Sequence, residues 1–88
     1  MKVLYRESFL KDVEGLHDSA LKKRIQAAIV EVKQAATRRD IGGVKKLEGG
    51  KSSYRIRIGV YRVGFVLEED TVVFVRCLHR KDIYRHFP

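Results

Sequence analysis

The chain has one cysteine, Cys77, so no internal disulfide can form, and no Cys-x-x-Cys or Cys/His spacing marks a zinc site. A reducing compartment is expected, with no metal and no other cofactor. Apolar runs long enough to span a bilayer or to direct export are missing too, so the sequence predicts a cytoplasmic protein with no membrane partner. Neither G-x-x-x-x-G-K-[ST] nor G-x-G-x-x-G occurs. The pairs Gly42-Gly43 and Gly49-Gly50 ahead of Lys51-Ser52 are punctuation and not a phosphate loop. Repeats, linkers and low-complexity segments are absent. Acidic residues are few: 11 against 19 Lys plus Arg, a formal charge of +8 on 88 residues. That length predicts one domain over residues 1–88 with a modest core, and that charge attracts nucleic acid or an acidic protein.

What is present centres on Tyr54-Arg55-Ile56-Arg57-Ile58-Gly59-Val60-Tyr61-Arg62-Val63. Polar and apolar residues alternate, so Tyr54, Ile56 and Ile58 share one strand face while Arg55 and Arg57 share the other. Gly59 supplies the positive φ that the first position of a type II′ turn requires, and the loop Gly59-Val60 sets the register of a hairpin. Ile58 then faces Tyr61, Ile56 faces Val63, Tyr54 faces Phe65, Arg57 faces Arg62, and Arg55 faces Gly64. Like charges directly opposite one another cost about 0.2 to 1 kcal/mol on the scale of cross-strand pairs. Folding alone does not ask for this. Arginine offers a planar donor fork matched to phosphate, so a polyanion is the counterpart to expect.

In chain order, residues 2–6 predict a first strand, and Ser8 is placed to cap a short helix carrying Phe9, Leu10, Val13 and Leu16. A longer helix follows from an Asp18 or Ser19 cap to Thr37, about 18 residues or about 27 Å, with Leu21, Ile25, Ala28, Ile29, Val32 and Ala36 as its apolar stripe. Both helices should cover the apolar face of the sheet. Lys22, Lys23, Arg24 and Lys33 fall on the solvent side. Lys45 and Lys46, in the segment leading to the hairpin, extend the basic surface. Beyond the acidic turn Glu68-Glu69-Asp70, residues 71–78 predict a third strand of an antiparallel meander. A three-residue loop would place Val73, Val75 and Cys77 on the core face and Arg76 beside Arg62. A two-residue loop would turn Arg76 into the core at high desolvation cost. The fold class is therefore α+β: a small antiparallel sheet, an N-terminal strand plus three-strand meander, packed on one face by two helices. Tyr5, Tyr54 and Tyr61 belong with the apolar residues.

The tail His79-Arg80-Lys81-Asp82-Ile83-Tyr84-Arg85-His86-Phe87-Pro88 gathers titratable and cationic groups at the platform's edge. Strand, two helices, Lys-Leu-x-Gly, Tyr-Arg-Ile-Arg-Ile-Gly-x-Tyr-Arg-Val and then His-Arg-Lys-Asp-Ile-Tyr-Arg resemble the RelE toxins of the RelE/ParE superfamily over nearly the whole chain. The resemblance implies a type II toxin neutralised by a cognate antitoxin, and a ribosome-dependent endonuclease acting on messenger RNA. It implies that Arg55 and Arg57 stand where many RelE proteins carry lysines, that Arg62 is the arginine of the Tyr-Arg motif, that Arg80 is the arginine leaving the last strand, and that Tyr84 is the C-terminal catalytic tyrosine. ParE relatives share the hairpin but inhibit gyrase, so a gyrase-directed toxin is the first alternative. A catalytically inactive homologue that binds RNA or antitoxin is the second.

Cleaving RNA without a metal requires deprotonating a 2′-hydroxyl, stabilising charge on phosphorus and protonating the departing 5′-oxygen. Arg55, Arg57, Arg62 and Arg80 suit the middle task. Tyr84 could stack on a base or move a proton, and His79 is the second proton carrier, against its plainer role as a strand-end hydrogen-bonding residue. Arg76, Lys45, Lys46, Lys81 and Arg85 complete the candidate RNA-binding set.

Overall fold

Alternation over residues 54–58, taken up again over residues 61–63, builds the centre of the molecule. The structure, a computed structural model, describes residues 1–50 and 52–88. Strands β3 (Ser53–Ile58) and β4 (Tyr61–Glu68) form the expected hairpin. Its pairs are Ile58 with Tyr61, Arg57 with Arg62, Ile56 with Val63, Arg55 with Gly64 and Tyr54 with Phe65. Gly59 sits at φ 59° and Val60 does not enter positive φ, which is the type II′ pattern.

Around the hairpin the sheet has five strands in the order β1-β5-β4-β3-β2, with β1 at Lys2–Tyr5, β2 at Val44–Lys46 and β5 at Thr71–His79. Two features depart from the expected four-strand antiparallel sheet. Lys45-Lys46 lies in a real edge strand, antiparallel to β3, short and lysine-bearing as exposed edges commonly are. At the other edge β1 runs parallel to β5, pairing Tyr5 with Phe74. Its direction is tied to the helix that follows, α1 (Glu7–Glu14). Ser8 Oγ donates to the carbonyl of Val75 at 2.6 Å, and Asp12 accepts from the amide of Cys77 at 2.9 Å. These anchors advance in the same order along α1 and β5, so the strand that feeds α1 runs with β5.

Ser8 is thus a cross-link and not the cap expected of it; the N-cap position is Arg6, without a side-chain hydrogen bond. The second helix, α2 (Ser19–Gln34), is capped as read, with Asp18 Oδ1 accepting from Leu21 N at 3.0 Å. It stops short of Thr37, which instead opens a 3-10 turn over Arg38–Asp40 through a reciprocal cap with Asp40. Leu21, Ile25 and Val32 of α2 and Phe9 of α1 meet Ile56, Ile58, Val63, Phe65, Val72, Phe74 and Cys77 in one core. Tyr54 is buried there and Tyr61 packs at its margin, while Tyr5, 38% exposed, stacks on Phe9 and Phe74.

Strand β5 corrects the register expected for it. The loop before it is the two-residue Glu69-Asp70, since Glu68 pairs with Thr71, and a bulge at Val75 sets Arg76 opposite Gly64 and Leu78 opposite Arg62. Val72, Phe74 and Cys77 therefore face the core, and Arg76 turns towards α1, away from the platform. Without the bulge a two-residue loop would set Arg76 opposite Val63 in the core; the bulge moves it opposite Gly64, and Asp12 compensates the partial desolvation that remains. Arg76 Nε and Nη2 lie 2.8 and 3.1 Å from its two carboxylate oxygens, and this pairing raises the Arg76 pKa. A bulge leaves backbone groups without ladder partners, and Ser8 and Asp12, one turn apart on α1, meet those of Val75 and Cys77. Removing one partner of a mostly buried ion pair is strongly destabilising. Asp12→Ala is expected to lower the unfolding free energy by about 3 kcal/mol in a urea titration. A change under about 0.5 kcal/mol would mark the pair as an ordinary surface contact.

The tail is structured as well. Residues 80–82 turn, and α3 (Ile83–His86) follows. Ile83, fully buried, and Phe87, 3% exposed, form a second small core with Leu47, Val66, Val75 and Leu78, on the sheet face that α1 and α2 leave open. Gly64 makes this possible. A Cβ there would stand 2.5 to 2.9 Å from three atoms of the Phe87 ring. One face of the sheet thus carries both helices, and the other is divided between arginines and the seat of α3.

Candidate functional site

The hairpin presents Arg55, Arg57 and Arg62 on its open face because register and parity leave them no other place. Lys45, paired with Arg55 in β2, joins them, and Lys46 pairs with the buried Tyr54 at the end of that strand. Arg62 is oriented by the turn it borders: its Nη1 donates to the carbonyls of Gly59 and Tyr61, each at 2.9 Å. Arg55 Nη1 donates to Gly43 O at 2.7 Å, and its Nε is buried with no acceptor among the described residues. A buried donor left unmet costs about 1 to 3 kcal/mol. Arg57 is exposed.

These cations act on one another. The Arg62 pKa is lowered, first by partial burial and then by repulsion from Arg55 and Arg57, with Arg80 adding to it; Tyr84 acts in the opposite direction. Four of the residues singled out in the sequence, Arg55, Arg57, Arg80 and Tyr84, therefore lie within electrostatic reach of the Arg62 guanidinium. Tyr84 is brought there by α3. Ile83 before it and Phe87 after it are buried, so Tyr84 is left 60% exposed on the far side of the short helix, on one wall of a groove of about 440 Å³ whose other wall includes Lys45 and Lys46. Arg80 is positioned at its backbone, where its N–H donates to Val60 O at 2.7 Å.

Other candidates fall elsewhere. Arg76 is committed to Asp12 on the helix side. His79 pairs with Tyr61 across β4 and β5, its ring edge-on to that tyrosine at 5.7 Å. It lines a cleft with Lys11, Asp12 and Leu16 on the helix-bearing face, and its Nδ1 accepts from the Lys81 amide at 3.1 Å. That is the strand-end hydrogen-bonding role, and it leaves His79 apart from the platform. Lys81 is exposed, and Arg85 leans towards Asp82 at 3.5 Å as a surface pair. One cation belongs closer than its helix position implied: Arg24 lies against the hairpin turn, its Nη1 3.0 Å from where a Cβ on Gly59 would be. Periodicity alone could not show this, because it depends on how α2 crosses the sheet. The anchoring pair Ile83 and Phe87 also went unread, although their spacing of four residues beside an exposed tyrosine is a helical signal.

Chemically, the arrangement is a fixed set of permanent cations with one exposed phenol beside it, on rigid strands and a packed short helix. It can hold a phosphate and place an aromatic hydroxyl near it.

Comparison with known proteins gives the same direction. A family model described as "ParE toxin of type II toxin-antitoxin system, parDE" matches residues 3–84. Toxin RelE3 of Methanocaldococcus jannaschii is 40% identical over 89 residues, with all of both chains covered. The RelE chain in a RelB-RelE antitoxin-toxin complex from Methanococcus jannaschii superposes with a TM-score of 0.81 at 36% identity, over 97% of this chain and 99% of that one. An archaeal RelE-RelB complex from Pyrococcus horikoshii shares the fold at a TM-score of 0.73 and 22% identity, covering 93% and 97%. The strand and tail motifs, the mixed sheet under two helices, and full-length relatives at this level of identity lead to one conclusion: the chain belongs to the RelE/ParE superfamily of type II toxin-antitoxin toxins, as a RelE-like member.

Proposed function

We propose that the protein is a ribosome-dependent endoribonuclease that arrests translation by cutting messenger RNA. The observation that carries this reading is the convergence of Arg55, Arg57, Arg62, Arg80 and Tyr84 on the open face of the sheet, with Arg62 already oriented by two turn carbonyls. In the reaction the 2′-oxygen of one nucleotide attacks the adjacent phosphorus, and the bond from phosphorus to the 5′-oxygen breaks. The products are a 2′,3′-cyclic phosphate, or its opened form, and a 5′-hydroxyl. The arginines stabilise charge gathering on the phosphoryl oxygens, an electrostatic task for which donors fixed beforehand are worth most. They stay protonated and move no proton. Proton transfer therefore falls to Tyr84, with groups of the ribosome and RNA around it, in preference to His79, whose Nδ1 accepts from the Lys81 amide. The platform and tail bind the message as one surface, with Lys45 and Lys81 at its margins.

A cognate antitoxin belongs to the same proposal, since the two structures compared above are antitoxin-toxin complexes. A small acidic or amphipathic partner that covers the arginine face or displaces α3 would neutralise a chain of this charge. A protein that acts on ribosomes would work in the cytoplasm, and this reading takes residues 1–88 as one domain. The gyrase-directed alternative rests on the ParE description of the family model. The two separate cleanly on expression of the chain without its antitoxin. Mapped RNA ends within translated messages are the expected result, and intact messages with stalled DNA replication would overturn it.

A further inference from the structure

The groove beside the platform holds one residue that phosphate binding does not explain. Its lining includes Lys45, Leu47, Glu48, Tyr84 and Phe87, around a space of about 440 Å³, within the range of sites that enclose small planar ligands. Leu47 and Phe87 are buried and give it an apolar floor, Tyr84 offers an exposed ring on one wall, and Lys45 stands on the platform side beside Arg55. Glu48 is exposed and makes no ion pair with any described residue. A carboxylate on this rim repels the backbone that the surrounding cations attract. It is of use only to something that donates hydrogen bonds.

Resting on the reading of the chain as an RNA-cutting toxin, we propose that this groove takes one unstacked nucleobase of the message and that Glu48 selects guanine there. Single-stranded bases are read by stacking on aromatic rings and by hydrogen bonds to their Watson–Crick edges. An ionised carboxylate only accepts. Guanine presents two donors side by side, N1–H and the N2 amino group, which the two oxygens of Glu48 can accept together. Adenine and cytosine each offer one amino group next to a bare ring nitrogen. Uracil offers one N–H between two carbonyl oxygens that repel the carboxylate. Preference therefore runs from guanine, through adenine and cytosine, to uracil. Glu48→Gln replaces one acceptor with a donor, and a donor-and-acceptor pair can meet an adjacent acceptor and donor on any of the four bases, so the advantage of guanine is lost.

The test uses the full-length protein and four trinucleotides whose 2′-oxygens are methylated, so that they cannot be cut, differing only in the central base. Binding is followed by titration at fixed salt. Wild type is expected to bind the guanine probe about tenfold more tightly than the uracil probe, the scale of one good bidentate base contact. Glu48→Gln is expected to lose the guanine advantage and bind the four probes about equally. Equal binding of all four probes by wild type, or no measurable binding of any, overturns the inference. So does a Glu48→Gln variant that binds all four more tightly in unchanged order, because the residue would then act through charge alone. Failure of the nuclease reading itself shows elsewhere, as intact messages in the expression experiment.

Discussion

Tyr84→Phe is expected to cut message on purified ribosomes about 10² to 10⁴ times more slowly than the parent, the usual cost of losing a general acid or base. The substitution keeps the ring and the buried flanks of α3, Ile83 and Phe87, so neither stacking nor the seat of the helix changes. Only the hydroxyl is lost. Tyr84→Ala removes the ring too, and loss of base stacking alone costs about 1 to 3 kcal/mol. A phenylalanine variant at parental rate beside an impaired alanine variant would make Tyr84 a stacking platform and leave proton transfer to the ribosome or the RNA. If both variants cut like the parent, Tyr84 takes no part. Single-turnover cleavage of a programmed ribosome, with antitoxin binding as the check on folding, distinguishes these outcomes.

Arg62→Ala is expected to lower the same rate by about 10² to 10³, the loss typical of one preorganised donor to a developing oxyanion. Arg62 is the residue at which the electrostatic influence of Arg55, Arg57, Arg80 and Tyr84 converges. Its removal relieves repulsion among those neighbours, so stability should hold or rise slightly while activity falls. That pairing of opposite effects is the signature to measure, by urea denaturation alongside cleavage. Parental cleavage by Arg62→Ala would remove this guanidinium from the reacting phosphate. An activity loss accompanied by unfolding would make its bonds to Gly59 and Tyr61 structural.

The hairpin was legible in the sequence to the level of every pair because its determinants are local: strict alternation and one glycine able to take positive φ. The cap of α2 and its stripe from Leu21 to Val32 were legible for the same reason, whereas Ala36 lies past the end of the helix and is exposed. The direction of β1 and the bulge in β5 were not. Both depend on Asp12 and Ser8 meeting residues 65 and 67 positions later, a relation that no window of sequence contains. Arg76 shows the limit well. A two-residue loop turns it inward only while the ladder stays in register, and the bulge shifts it off the core face towards a carboxylate on a helix whose orientation no local pattern gives. Four residues of α3 are too few for periodicity to reveal, so the tail read as chemistry without its scaffold. Arg55, Arg57 and Arg62 could be placed from parity alone. That Tyr84 stands among them required the second core.

Phe87 resting on Gly64 also bears on how such a gene can be silenced. Where uninhibited toxin kills its host, survivors reveal every position at which one change suffices. The cations and Tyr84 are obvious targets, yet a side chain at Gly64 would evict the Phe87 ring and carry α3 out of place, twenty positions from Tyr84 in the chain and without touching a charge. Lesions of this kind spare the arginines, the hairpin and the helix layer. A chain carrying one would be harmless yet still able to titrate antitoxin away from an intact sibling, so in a genome with several such loci a disabled copy need not be an inert one.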